Sequence, residues 1–176
     1  HSYFRIYDFI TALDYIKKSI ELKKSDTLNL SFLGEIYLRI NKYKDAINTF
    51  KKVLDLDSKN INSLFNLAKA NYELGKITEA EKYLNQIIQI QPMNMNAWYE
   101  LIKINQKYLT NDLIKKVKNN KNIKNFNDVY TKFIIAENHK YNKNFEAELD
   151  NLVEAHDCYT NKKYKSTKQE FNYFTN

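Results

Sequence analysis

Two consecutive stretches of the chain, Thr27 to Asn60 and Ile61 to Asn94, lie in register over 34 residues without a gap. The first carries Leu30-x-x-Leu33-Gly34-x-x-Tyr37, then Tyr43, Ala46, Phe50, Val53, Leu54 and Leu56. The second answers with Leu64-x-x-Leu67-Ala68, then Gly75, Ile77, Ala80, Leu84, Ile87, Ile88, Ile90 and Pro92. One further step lands on Trp98-x-x-Leu101. A period of this length constrains the fold more than any other feature of the sequence. Each stretch is one supersecondary unit that cannot bury its apolar face alone, so neighbouring units must stack and share a core. The apolar residues within a unit follow helical spacing on both sides of Asn41-Lys42 and Gly75-Lys76. Small residues, Gly34 and Ala68 in the first helix and Ala46 and Ala80 in the second, stand where backbones approach closely. Asn41-Lys42 and Gly75-Lys76 sit where the chain must turn, and both Asn and Gly tolerate left-handed backbone. Thr78-x-x-Glu81 has the form of a capping box, and Pro92 suits a break between units.

Composition agrees with a helical chain. Only two glycines and one proline occur in 176 residues, leaving no flexible linker and no proline-rich docking segment. At 43% hydrophobic the chain can bury a continuous core, as one elongated domain. No apolar run reaches the length of a membrane span, and no secretory signal opens the chain. A single cysteine, Cys158, excludes an internal disulfide and fits a reducing compartment, with the cytoplasm as the expected location. The net charge of +7 is spread along the chain, +3 over residues 1–94 and +4 over 95–176, and only Arg5 and Arg39 are not lysine among the basic residues. Abundant Asn, Ile, Tyr and Phe beside scarce Gly, Ala and Pro is the bias of an A/T-rich coding sequence, so the lysine excess is a weak sign of a partner. The densest run, Lys115, Lys116, Lys118, Lys121 and Lys124, has no interleaved arginine or stacking aromatic. It reads as a solvated loop between units and argues against nucleic acid.

A large residue, a leucine, a small residue, then Ala-x-x-x-aromatic at this period resembles the tetratricopeptide repeat (TPR) family. The resemblance implies an all-α fold, a right-handed α-solenoid of TPR helix hairpins closed by a C-terminal capping helix. In this register residues 1–26 are a partial repeat, with Tyr3, Phe9, Ala12, Ile16 and Leu22 under Tyr37, Tyr43, Ala46, Phe50 and Leu56. Residues 27–60 and 61–94 are full repeats. Residues 95–128 form a degenerate one, in which Ile102 and Ile114 replace the small residues, Lys118 replaces the aromatic and the second helix is short, roughly 111–117. Residues 129–161 resume the pattern, with Leu149, Leu152, Val153 and Ala155 on one face of the second helix. Residues 162–176 are the capping helix, with an N-cap near Ser166 or Thr167 and an apolar face of Phe171 and Phe174.

In this family the first helices line a concave surface that holds a protein segment. Carried over residue by residue, the groove candidates are Glu35, Arg39, Phe65, Asn66, Lys69, Tyr72, Tyr99 and Lys103, with Ser31, Phe32, Leu38, Glu73, Glu100, Gln106 and Lys107 on the same faces. Aromatics beside lysines suit an extended or helical peptide, the apolar anchors giving affinity and the lysines orienting carboxylates. The family's clamp for acidic chaperone tails needs lysines, asparagines and an arginine at set positions. Asn66 matches, whereas Ser31, Glu35, Asn96 and Glu100 do not, so no binding to such tails is expected.

A narrower resemblance covers residues 95–174. Phe133-Ile134-Ile135-Ala136-Glu137, Tyr141 through Phe145-Glu146-Ala147, Leu152-Val153-Glu154-Ala155-His156 and Tyr164 resemble the TPR region that precedes the catalytic domain of TPR-sulfotransferase proteins. Lys143, Glu148 and His156 depart from that pattern at its turn glycine, alanine and asparagine. The resemblance implies a downstream catalytic domain using 3′-phosphoadenylyl sulfate, with this chain as its arm or as the part that selects the acceptor. A catalytic residue, cofactor site or metal site is not expected in this chain itself. Gly34 and Gly75 occupy packing and turn positions, so no glycine-rich loop can cradle a phosphate. His139 has no His or Cys at metal-binding helical spacing, and His156, Asp157 and Cys158 are too close in sequence to face one another on a helix. Cys158 reads as a buried filler, and Glu146, Glu148, Asp150 and Glu154 as a solvated face. The expected function is a non-catalytic scaffold for a protein or peptide partner. A lysine-rich adaptor for RNA or another anionic polymer is the weaker alternative.

Overall fold

A computed structural model describes the backbone of residues 11–20, 27–119 and 127–174, and the side chains of these up to residue 160 apart from 127 and 128. All regular structure in them is helical. Helix α1 spans 11–20. It is followed by α2 (Thr27–Arg39), α3 (Tyr43–Leu56), α4 (Ile61–Glu73), α5 (Ile77–Ile90) and α6 (Met95–Ile104). A 3-10 turn (Gln106–Tyr108) leads to α7 (Asn111–Asn119), α8 (Asn127–Tyr141) and α9 (Phe145–Phe174). The chain forms two compact units, His1–Pro92 and Met93–Asn176. Of the partial repeat, Tyr3, Phe9 and Leu22 lie outside the described residues, while Ala12 and Ile16 are half-buried on α1.

In the first unit α2 packs on α3, α3 on α4 and α4 on α5, with α2 also meeting α4. The core holds Leu30, Phe50, Val53, Leu64, Leu67, Leu84 and Ile87. The small positions behave as the spacing requires. A Cβ added to Gly34 would lie 2.6 Å from Cζ of Phe50, whose ring is fully buried. Ala46, Ala68 and Ala80 are buried as well.

The turns explain the register. Asn41 (φ 59°) and Gly75 (φ 72°), one period apart, both adopt left-handed backbone. Around each, the next amide bonds back to the helix it leaves. Lys42 N–H donates to the Tyr37 carbonyl at 2.8 Å and Lys76 N–H to the Asn71 carbonyl at 2.9 Å. Asn41 N–H reaches the Leu38 carbonyl at 3.1 Å and Gly75 N–H the Tyr72 carbonyl at 2.9 Å. This is the two-bond closure of a helix C-terminus. The α8–α9 turn repeats it with Lys143 (φ 58°) where glycine would be strain-free, Asn144 N–H donating to the His139 carbonyl at 2.9 Å. Asparagines also start the helices. Asn60 Oδ1 accepts from Ser63 N–H at 3.0 Å and Asn94 Oδ1 from Ala97 N–H at 3.1 Å, again one period apart. The capping box expected at Thr78 is not formed. Helix α5 begins one residue earlier, at Ile77, with Lys76 as an N-cap that lends no side chain, so Thr78 lies inside the first turn.

The second unit departs from the regular pattern. Helices α6 and α7 have only 10 and 9 residues, and the left-handed turn between them gives way to the 3-10 segment. Ile102 and Ile114, at the positions that are small elsewhere, are buried in one cluster with Met95, Leu113, Val117 and Ile134. Bulk there keeps two helices from close approach. The close backbone neighbours of α6 are accordingly α8 and the 3-10 turn, and that of α7 is α8.

Helix α9 corrects two expectations. It runs unbroken from Phe145 to Phe174, so the terminal segment is helical as the continuation of α9 and has no N-cap of its own at Ser166 or Thr167. The face read as apolar packing also points the other way. Ala155 is fully buried, whereas Leu149, Val153 and Leu152 are 62%, 53% and 38% exposed. The packed side is formed by Ala147, Asn151, Ala155 and Cys158, short residues at spacings of four and three that let α9 lie close on α8. Cys158 on that side is half-buried rather than a buried filler.

Candidate functional site

The groove candidates fall into two sets, one per compact unit. In the first, Glu35 and Arg39 are exposed on α2, as is Phe32 (57%). On the neighbouring α4, Lys69 and Tyr72 are exposed, Tyr72 to 50%, while Phe65 and Asn66 are half-buried. The helical register produces this. Leu30 and Gly34 on α2, and Leu64, Leu67 and Asn71 on α4, turn inward, and the intervening residues are left outside. Asn71 is held by its own helix, its Nδ2 donating to the Leu67 carbonyl at 2.8 Å.

In the second unit Tyr99 and Lys103 lie on α6. Tyr99 is not a free anchor. Its ring stacks on Phe133 of α8 at 5.2 Å between centroids and 24° between planes, and tilts against Tyr130 at 5.9 Å. Lys103 Nζ is 3.0 Å from a Glu100 carboxylate oxygen and 5.5 Å from the centre of the Tyr99 ring. Desolvation pushes the Tyr99 phenol above its usual range, with Lys103 pulling it down and Glu137 and Glu100 adding to the rise. Burial raises Tyr130 likewise, with Glu100 next in weight and Lys103 opposing. Tyr130, Phe133, Val129 and Tyr159 surround an apolar pocket of about 220 Å³. That is below the usual ~300–1,000 Å³ of a small-molecule site and near the size of one inserted side chain. A more polar depression of about 500 Å³ lies among Gln106, Lys107, Leu109, Thr110, Asn111 and Tyr141.

The sequence pointed to Tyr99 but not to its partners on α8, because Tyr130 and Phe133 read as ordinary core positions of a helix. Among the described residues no group of three or more His, Cys, Asp or Glu could hold a metal ion. No described helix is long and apolar enough to cross a membrane. Glu154, one of the carboxylates read as solvated, is paired with Lys132 of α8. Lys115, Lys116 and Lys118 are exposed on α7, Lys116 bridging to Asp112 at 2.6 Å, and Lys121 and Lys124 lie outside the described residues.

Residues 37–103 match the family model "Tetratricopeptide repeat". No curated protein matches the chain. Solved structures do. A crystal structure of MamA has a TM-score of 0.62 at 21% identity, covering 89% of this chain and 92% of its own. A putative kinesin light chain of Podospora anserina with nearly identical TPR-like repeats has a TM-score of 0.63 at 14% identity, over 89% of each chain. The first TPR domain of Spaghetti (RPAP3), bound to the HSP90 peptide SRMEEVD, has a TM-score of 0.54 at 22% identity, over 62% of this chain and 86% of its own. At these identities the likeness shows the fold. The described residues therefore have the all-α fold of tetratricopeptide-repeat proteins, and residues 37–103 match the sequence model of that repeat.

Proposed function

We propose that the chain is a non-catalytic interaction module that binds an extended or helical segment of another protein on the outward faces of its first helices. The observation that carries this reading is the exposure of Phe32 and Tyr72, 57% and 50%, on the adjacent helices α2 and α4. Around them stand charged groups of both signs, Glu35 and Arg39 on α2 and Lys69 and Glu73 on α4. Large apolar side chains left in water amid charges are what a peptide-binding face needs, anchors ringed by orienting groups. The RPAP3 domain, bound to a peptide, supports the reading by fold. Phe65 and Asn66, half-buried on α4, extend the candidate surface of this unit. Attachment to a sulfotransferase-type enzyme is a separate proposal that rests on the sequence resemblance of residues 95–174, and the coding sequence beyond Asn176 tests it.

The test is affinity capture with the purified chain and with Phe32→Ala/Tyr72→Ala. Both residues are half or more exposed, so the helical spectrum and melting temperature should hold. A partner captured by the parent and lost from the variant is the expected result. Equal capture by a folded variant sinks the proposal.

A further inference from the structure

Helix α9 has 30 residues, whereas α3 and α5, the second helices of the two regular units, have 14 each. Its neighbour α8 has 15 residues, enough to flank only about half of it. In the flanked half the side away from α8 carries Phe145, Leu149 and Val153, exposed to 67%, 62% and 53%, with Leu152 beside them at 38%. The first three recur every fourth residue and so form a stripe. Exposed Glu146, Asp150 and Asp157 border it on one side. Charge is divided along the helix. Residues 145–160 hold Glu146, Glu148, Asp150, Glu154 and Asp157 with no lysine or arginine. Residues 161–174 hold Lys162, Lys163, Lys165 and Lys168 against the single acid Glu170, and apolar residues continue in the sequence at Tyr164, Phe171 and Phe174.

We propose that α9 pairs antiparallel with the α9 of a second copy of this chain. Antiparallel pairing sets the acidic half of each helix against the lysine-bearing half of the other and covers the stripe in both. Parallel pairing would place acid on acid and lysine on lysine. A second copy is chosen because this one helix contains both complementary halves, as a self-matching two-fold contact requires. At 30 residues the helix is about 45 Å long, so two antiparallel copies can overlap along both the acidic and the lysine-bearing half. None of the residues of the peptide-binding reading takes part, so the two proposals stand or fall separately.

The test is the mass of the full chain in solution, by sedimentation velocity or light scattering, from low to high micromolar concentration. A monomer–dimer equilibrium is expected, weakened by salt. Leu149→Glu/Val153→Glu, at exposed positions, should leave helicity intact and the chain monomeric. Glu146→Lys/Asp150→Lys and Lys165→Glu/Lys168→Glu should each raise the dimer dissociation constant roughly tenfold, and combining all four should restore it. A chain that stays monomeric throughout overturns the proposal. So does a dimer that survives Leu149→Glu/Val153→Glu, or a charge combination that restores nothing.

Discussion

Gly34 and Phe50 show how one repeat position is tuned by another. The Phe50 ring fills the space a Cβ on residue 34 would need, at 2.6 Å. One period later the same two positions are Ala68 and Leu84, both buried, so the helix residue has grown and its counterpart has shrunk. Gly34→Ala should therefore be destabilising even though alanine is the better helix former. Overpacking costs about 1–3 kcal/mol, against roughly 1 kcal/mol returned by helix propensity. The melting temperature of Gly34→Ala should fall, and Gly34→Ala/Phe50→Leu should recover part of it by rebuilding the pair used in the next repeat. A rise for the single variant would mean the ring can move aside. Residues of this kind were the legible ones. Gly34, Ala46, Ala68 and Ala80 recur at a fixed interval and each has a single steric reason. Asn60 and Asn94 were equally readable as caps one period apart, and a search for N-cap residues just before Ile61 and Met95 would have found them. Which faces of α9 are buried was not legible. Among its described residues Leu149, Leu152 and Val153 are exposed, and short Ala147, Asn151, Ala155 and Cys158 make the contact that hydrophobicity alone would assign elsewhere.

Among elements, α6 and α8 carry the least anticipated arrangement. Period counting placed Tyr99 on the groove face with its counterparts Ser31 and Phe65, which are half-buried on α2 and α4. The short α7 and the bulky Ile102 and Ile114 instead bring α8 beside α6, where Tyr130 and Phe133 close over Tyr99. The candidate site was thus readable on α2 and α4, where the repeat is regular, and unreadable here, where it decays. This packing has a titration signature. The phenols of Tyr99 and Tyr130 are raised by desolvation, so the folded state holds their protons more tightly than the unfolded state. Their contribution to stability is intact below the ordinary tyrosine pKa near 10 and is lost as pH climbs through the raised folded values. Absorbance titration should show a late tyrosine phase to which Tyr99, Tyr130 and Tyr83, itself raised by burial and then by Glu79, contribute, and Tyr99→Phe/Tyr130→Phe should shrink that phase and flatten the alkaline loss of melting temperature. Coincident ionisation of all tyrosines would refute the packed arrangement.

For the molecule as a whole, sharing a fold with the RPAP3 domain does not mean sharing its ligand. A surface that grips an acidic tail needs fixed cationic and amide donors where the carboxylates arrive. On α2 the exposed Glu35 puts an acid on the candidate face. On α6, Lys103 is engaged by Glu100 at 3.0 Å, so the cation there is already answered within the chain. The net charge of +7 still attracts any acidic peptide at long range, but that attraction is screened within about 8 Å at physiological ionic strength. An acidic chaperone C-terminal peptide should therefore show weak, salt-dependent association at low ionic strength and no saturable binding in the micromolar range at physiological salt. Calorimetric titration at both salt concentrations checks this. A one-to-one isotherm that persists at physiological salt would show that positions other than 31, 35, 96 and 100 form the clamp.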